Sequence, residues 1–199
     1  GIPNFTSFPD YEKTMALPSP AAKTVERFRD RDLEFDPGTK FKYSNSGYVL
    51  LGVVIEKASG ASYADFVRHR IFEPLGMRDT SFYLPQSKAG RLAAVYSVKG
   101  TAIERAADPG VGVGQGAYLN GPRKSFSGGA GLLSTARDYA RFLQMLANGG
   151  ELDGKRILSR KTIELMTSDH LRTIPYNPGQ GFGLGFSIVK DVGAYGSPS

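Results

Sequence analysis

The residues from Tyr48 to Ile55, Tyr-Val-Leu-Leu-Gly-Val-Val-Ile, carry no charge and almost no polar surface. Such a run reads as a buried helix, because a helix apolar on all sides is stable only when packed on all sides. The flanks agree. Asp36-Pro37-Gly38 is a turn signal, since proline presets one backbone angle and glycine accepts the positive one. Gly60 is where the helix is expected to stop. Tyr43 and Asn45 therefore stand at the mouth of a rigid element, a placement that suits a catalytic site because packing fixes the geometry of groups at its end.

Composition narrows the class. At 199 residues, 40% hydrophobic and 22% charged, the chain is long enough for a real core and has ordinary globular composition. The formal charge of +6 comes from 25 Lys+Arg against 19 Asp+Glu, and the basic residues are scattered, often beside acids. A nucleic-acid surface wants a dense stripe or a known module, and neither is seen; a solvated basic surface is the simpler reading. Zero cysteines exclude disulfides, thiolate metal sites and a cysteine nucleophile. No apolar run has membrane-spanning length, and no signal peptide is visible.

Along the chain, Pro3, Pro9, Pro18 and Pro20 mark a loop. Ser19-Pro20 then starts a short helix to about Asp30. Ser62-x-x-Asp65 opens a helix to about Phe72, with Tyr63, Phe66, Val67 and Ile71 at helical spacing. Thr80 to Tyr83 and Ala93 to Val98 look like strands, the second paired with Ala102-Ile103-Glu104 across Lys99-Gly100. Ala107 to Pro122 is a glycine-rich loop. Thr135-x-x-Asp138 starts a helix whose apolar face is Tyr139, Phe142, Leu143 and Leu146, closed by Asn148-Gly149-Gly150. Glu151 to Arg156 reads as a turn, and Ser159 caps a further helix through Ile163 and Met166. Gly181 to Val189 alternates, with Phe182, Leu184, Phe186 and Ile188 on one face, and reads as one strand.

Tyr43-Ser44-Asn45, followed by Ser46-Gly47-Tyr48-x-Leu50-Leu51-Gly52, resembles the Tyr-x-Asn motif of the serine β-lactamase and penicillin-binding-protein superfamily, in its class C-type branch. That branch also holds D-alanyl-D-alanine carboxypeptidases, D-aminopeptidases and β-lactamase-like esterases. The resemblance continues through Ile71-Phe72-Glu73-Pro74-Leu75-Gly76-Met77 and Gly128-Gly129-Ala130-Gly131-Leu132-Leu133-Ser134-Thr135-Ala136-Arg137-Asp138, and covers nearly the whole chain. It implies an α+β fold, mainly α with minor β: the helical domain of the β-lactamase/transpeptidase-like fold, residues 1–180, and the first strand of the returning antiparallel sheet, 181–199.

The family's chemistry has three parts: a serine in Ser-x-x-Lys, a tyrosine or serine motif that shuttles protons, and a Lys-Thr-Gly-like strand that binds substrate. The resemblance supplies the middle one. Tyr43 would be the proton shuttle, a phenol that needs cations nearby to lower its pKa from about 10. Asn45 would hydrogen-bond the motif lysine and the substrate's amide. Ser127, Gly128 and Gly129 are placed at the cleft rim, where glycines allow close backbone approach; a tight turn leading to the Thr135 helix explains them equally well. Phe5, Phe8 and Tyr11 are either a pocket wall or local packing.

No nucleophile, Lys-Thr-Gly or Gly-x-Ser-x-Gly is identified in this chain. Ser187-Ile188-Val189-Lys190 has the Ser-x-x-Lys spacing, but in an alternating strand residues three apart point to opposite faces. Gly1-Ile2-Pro3 is similar to the tail of a family stretch after the nucleophile helix, so the chain is expected to be an internal fragment, nucleophile upstream and substrate strand downstream. Gly112-x-Gly114-x-x-Ala117 only superficially meets a dinucleotide fingerprint. His69 and His170 are isolated and read as surface residues rather than metal ligands, and no cofactor is implied.

The expectation is thus a fragment of a serine hydrolase acting on β-lactams, D-alanyl peptides or esters through an acyl-enzyme, inactive by itself, from an exported bacterial protein as the family suggests. The alternative is a non-catalytic scaffold or binding module of the same fold. Expected partners are the small acyl substrate and a second copy of the chain, paired through the truncated sheet edge, with no nucleic acid and no membrane span.

Overall fold

A computed structural model describes residues 1–15, 19–106, 119 and 123–196. The glycine-rich loop from Ala107 to Pro122 and the Gly112-x-Gly114 pattern lie, Leu119 excepted, outside the described residues.

Helices build the body. Those described are α1 (Tyr11–Thr14), α2 (Ala21–Glu26), α3 (Asn45–Ser59), α4 (Tyr63–Val67), α5 (Ala136–Ala147), α6 (Arg160–Met166) and α7 (Val192–Tyr195). The strands form three antiparallel two-stranded ribbons: β1 (Tyr96–Lys99) with β2 (Ala102–Arg105), β3 (Glu151–Leu152) with β4 (Lys155–Arg156), and β5 (Gln180–Phe182) with β6 (Ser187–Val189). This is the expected α+β class.

Local chemistry sets most boundaries. Ser62, Thr135 and Ser159 each accept a hydrogen bond from the backbone N–H three residues on, capping α4, α5 and α6. Gly60 ends α3 with φ of 69°, a left-handed angle that glycine takes without a Cβ clash. After α4 the helix widens into a π-turn over Arg68–Phe72, where the Glu73 N–H reaches back to Arg68 O at 2.9 Å. Pro74 and Gly76 then end it.

Four expectations change. Thr80 to Tyr83 is not a strand; Ser81 makes one isolated bridge, to Leu133, because the chain on either side turns away. Gly181 to Val189 is not one strand but the β5–β6 hairpin, paired Gln180↔Val189, Gly181↔Ile188 and Phe182↔Ser187. The glycines that alternate with the apolar residues make the difference. A Cβ on Gly183 would stand 2.2 Å from Met166 O, and Gly185 has φ of 88°, so they supply the bend.

The α3 helix is present but not buried all round, since Leu51 and Val54 are 56% and 53% exposed. Its packed side is Ser46, Val49 and Gly52. The buried side of α5 is likewise rotated from the expected one. Tyr139 and Leu143 are exposed, while Asp138 and Met145 are buried and Phe142 and Leu146 pack against the core.

That core joins α4, the π-turn and α5: Val67, Phe72, Leu75, Met77, Phe82 and Met145, with Leu75 and Met145 wholly buried. Removing large aliphatic surface from water drives its formation, at roughly 25 cal/mol per Å². Asp138, buried in the same region, is satisfied by charge-assisted bonds: its Oδ2 accepts from the Asp79 N–H at 2.7 Å and the Thr80 hydroxyl at 2.9 Å. Asp79 in turn takes a fork from Arg91, at 2.6 and 2.9 Å, and a bond from Lys88 at 2.6 Å. Arg91 first, then Lys88, hold the Asp79 carboxyl well below the usual carboxylate range.

Candidate active site

The site is built where the N-terminal segment crosses the first turn of α3. The first N–H groups of a helix lack partners within the helix. Ser44, at the N-cap position, is extended (φ −135°, ψ 118°) but its side chain makes no cap bond. The cap comes from far away in sequence: Asn4 Oδ1 accepts from the Asn45 N–H at 3.1 Å. One residue on, the fully buried Ser46 hydroxyl donates to Pro3 O at 2.6 Å and accepts from the Phe5 N–H at 2.9 Å. Residues 3–6 are thereby sewn to α3. The Asn45 side chain belongs to the same seam, its Nδ2 donating to Asn4 Oδ1 at 3.3 Å and to Thr6 Oγ1 at 3.1 Å.

Tyr43 is half exposed and stacks on Tyr48, ring centroids 5.4 Å apart. Its hydroxyl makes no hydrogen bond among the described residues. Burial first, and then the neighbouring Tyr43, push the Tyr48 phenol up.

The loop 127–131 lies across the other side of α3. A Cβ on Gly128 would sit 2.5 Å from Tyr48 O, and one on Gly52 2.9 Å from Gly128 N. Backbone meets backbone there, which only glycine permits. The turn itself is closed by Ser127 Oγ, which accepts from the Gly129 N–H at 3.0 Å. A cavity of about 200 Å³ opens beside it, walled by Asn45, Thr6, Phe5, Arg27, Ser127 and Gly129 among others. Asn45, Ser127 and Gly129 thus share one cavity; Gly128 is turned to α3, and Tyr43 stands outside the wall.

Both readings of the aromatic cluster apply, to different members. Phe5 and Tyr11 line the cavity, edge to face at 5.7 Å, whereas Phe8 lies under the Arg31 guanidinium at 3.9 Å. A larger hollow of about 570 Å³ at the far end of α3, lined by Ile55, Phe66, His69 and Arg70, contains none of the expected site residues and is an open groove.

The serines of this chain do not form a nucleophile pair in the described residues. Ser46 is spent on two bonds, and Ser44 Oγ is buried with no hydrogen-bond partner. Lys190 Nζ bonds Asp169 at 2.6 Å rather than Ser187. With the Leu171 and Phe182 N–H groups, Lys190 holds the Asp169 carboxyl at about 2. His69 and His170 are exposed, and no cluster of three or more His, Cys, Asp and Glu side chains exists among the described residues.

Sequence reasoning missed Asn4, Thr6 and Ser46. Asn4 and Thr6 lie 41 and 39 residues from Asn45, so no periodicity links them to it. Ser46, a hydroxyl at the edge of an apolar run, was the one local hint.

Comparison with known proteins places the chain. The β-lactamase family model matches residues 1–197. The chain belongs to the β-lactamase family. Protein Rv1367c of Mycobacterium tuberculosis (strain H37Rv) is 33% identical over 80% of this β-lactamase-family chain and 40% of its own length. Penicillin-binding protein 4* of Bacillus subtilis is 59% identical over 49 residues, 25% of this chain and 11% of the relative. The crystal structure of D-amino acid amidase from Ochrobactrum anthropi, 29% identical, superposes with a TM-score of 0.67 over 94% of this chain and 51% of the amidase. The chain spans half or less of the length of the curated relatives it matches.

Proposed function

We propose that this β-lactamase-family chain carries the proton-shuttle half of an acyl-transfer site, in a serine hydrolase that acts on β-lactams, D-alanyl peptides or esters. The single observation that carries the reading is the start of α3: Asn45 is fixed at a cavity by two side-chain bonds, while the neighbouring Tyr43 hydroxyl is half exposed and uncommitted. An orienting amide should be immobile and a shuttle should keep its oxygen free for the reactants. The names of the relatives, a penicillin-binding protein and a D-amino acid amidase, support amide and β-lactam carbonyls as the substrate class.

In this reading a serine outside the chain adds its Oγ to the substrate carbonyl. Tyr43 takes the serine proton and passes it to the leaving nitrogen or oxygen as that bond breaks, and water then hydrolyses the acyl-serine. The shuttle needs a cation beside Tyr43 to lower its pKa, also from outside the chain. The 199-residue chain alone is therefore expected to turn over nothing. Self-association through the β5–β6 edge belongs to the same proposal, and light scattering on the pure chain checks it.

The test is intact-protein mass after incubation with a bulky penicillin, on this chain and on a longer protein containing it. An adduct on the longer protein only, slowed at least about a hundredfold by Tyr43→Phe, is expected. An adduct on the chain itself would overturn the reading. No adduct on either, together with no hydrolysis of a short-chain ester, would point to a binding module instead.

A further inference from the structure

The backbone that carries Tyr43 is held by side chains alone. Residues 40–43 lie outside every helix and strand, and among the described residues none of their main-chain N–H or C=O groups makes a hydrogen bond. Three successive side chains go three ways. Phe41 packs its ring on Tyr176 and Phe182, with centroids 4.7 and 5.0 Å away. Lys42 pairs with Glu34 at 2.7 Å, and Tyr43 stacks on Tyr48. The Lys42 pair is partly open to water, where an ion pair holds little. Aromatic contacts of fixed geometry hold more, so Phe41 is the main anchor of the segment.

What Phe41 grips is itself rigid. The Phe182 N–H, in β5, donates to Asp169 Oδ1 at 3.1 Å, and Phe182 O accepts from the His170 N–H at 2.9 Å. Lys190, just past β6, closes on the other Asp169 oxygen at 2.6 Å. Tyr176 completes the aromatic set, its ring 5.9 Å from that of Phe182.

We infer that Phe41 is a positioning residue: through Tyr176 and Phe182 it ties the backbone of Tyr43 to the β5–β6 hairpin and sets where the Tyr43 hydroxyl stands. The inference rests on the proposed function for the statement that Tyr43 is the proton shuttle. It adds that the two motif residues are held from distant parts of the sequence, Asn45 by Asn4 and Thr6, Tyr43 by the hairpin. Proton transfer needs hydrogen-bond reach, so a loosened Tyr43 slows the chemical step more than it weakens substrate binding.

The first test uses the 199-residue chain and needs no activity. Stacking on Tyr48 should place the Tyr43 ring-proton resonances upfield of those of the exposed Tyr96. Phe41→Leu, which keeps apolar bulk and removes the ring, should return them most of the way to the Tyr96 position. Phe41→Tyr keeps the ring and should leave them in place, as should Lys42→Met. A merely structural Phe41 would lower the melting temperature without moving these resonances. Unmoved Tyr43 resonances in Phe41→Leu, or an equal shift in Lys42→Met, overturn the inference.

In the longer protein, Phe41→Leu should lower kcat by about tenfold with KM within about twofold, and Phe41→Tyr should recover the rate. In a Tyr43→Phe background the same Phe41→Leu change should cost less than about twofold, because the hydroxyl it positions is already gone. A tenfold loss in both backgrounds would overturn the role. A wild-type longer protein that reacts with neither a penicillin nor a short-chain ester would refute the proposed function, while the spectrum of the 199-residue chain still decides whether Phe41 holds Tyr43.

Discussion

Helices α3 and α5 both begin next to a polar constellation, yet they are held by opposite means. The α5 helix carries its own start: Thr135 caps it, and Asp138, in its first turn, gathers the Asp79 N–H and the Thr80 hydroxyl. Nearby charges, Arg91 and Lys88 on Asp79, complete a closed set of partners over a packed core. The α3 helix has no cap of its own and borrows one from Asn4, using neutral amides and hydroxyls throughout. Around it, among the described residues, a tyrosine hydroxyl and a carboxamide oxygen are left without partners. The start of α5 satisfies the groups around it, while the start of α3 leaves groups open and leans on support from far along the chain.

Breaking the closed set should have the largest effect. Asp138→Ala strands the Asp79 N–H and leaves the Thr80 hydroxyl with Ser134 Oγ alone, and is expected to cost about 3 kcal/mol in urea unfolding; a loss below about 1 kcal/mol would show the network to be ornamental. Gly128→Ala comes next. Its Cβ would press on Tyr48 O at 2.5 Å, so about 2 kcal/mol should be lost and the loop lifted off α3. A full-stability Gly128→Ala protein would mean the loop can slide without consequence. Asn4→Ala removes only the borrowed cap, about 1 kcal/mol, with amide exchange accelerated in the first turn of α3 and unchanged in α5.

Acid should separate the two starts with the smallest effect. The Asp79 carboxyl is depressed in the folded state, so its contribution is complete above the unfolded value of about 4 and fades as pH falls through the lower folded one. Melting temperatures of wild type and Arg91→Ala, followed from pH 6 downward, should differ at the top and converge in acid. The α3 seam, with no titrating group in its bonds, should show no such convergence for Thr6→Val; parallel behaviour of the two variants would erase the contrast.

What could be read in advance divides along the same line. The Thr135-x-x-Asp138 cap is a four-residue signal and was legible. The β1–β2 hairpin across Lys99-Gly100 was legible for the same local reason. Of the residues the resemblance pointed to, Asn45, Ser127 and Gly129 meet at one cavity, while Tyr43 stands outside its wall. Its supports, Asn4 and Thr6, reach Asn45 across tens of residues, and no local pattern encodes that. Burial was also misjudged where tertiary packing decides: Leu51 and Val54 belong to an apolar run, and Tyr139 and Leu143 to an expected apolar face, yet all four stand in solvent. The β5–β6 hairpin was misread because glycine at alternate positions mimics the period of a strand.

The Asn4 bond to the Asn45 N–H joins a short strap, residues 3–6, to the helix with neutral links that heat can open locally. Activity in a longer protein should therefore fade on warming before the core around Leu75 and Met145 melts. Inactivation would precede denaturation, and a stapled strap would bring the two temperatures together.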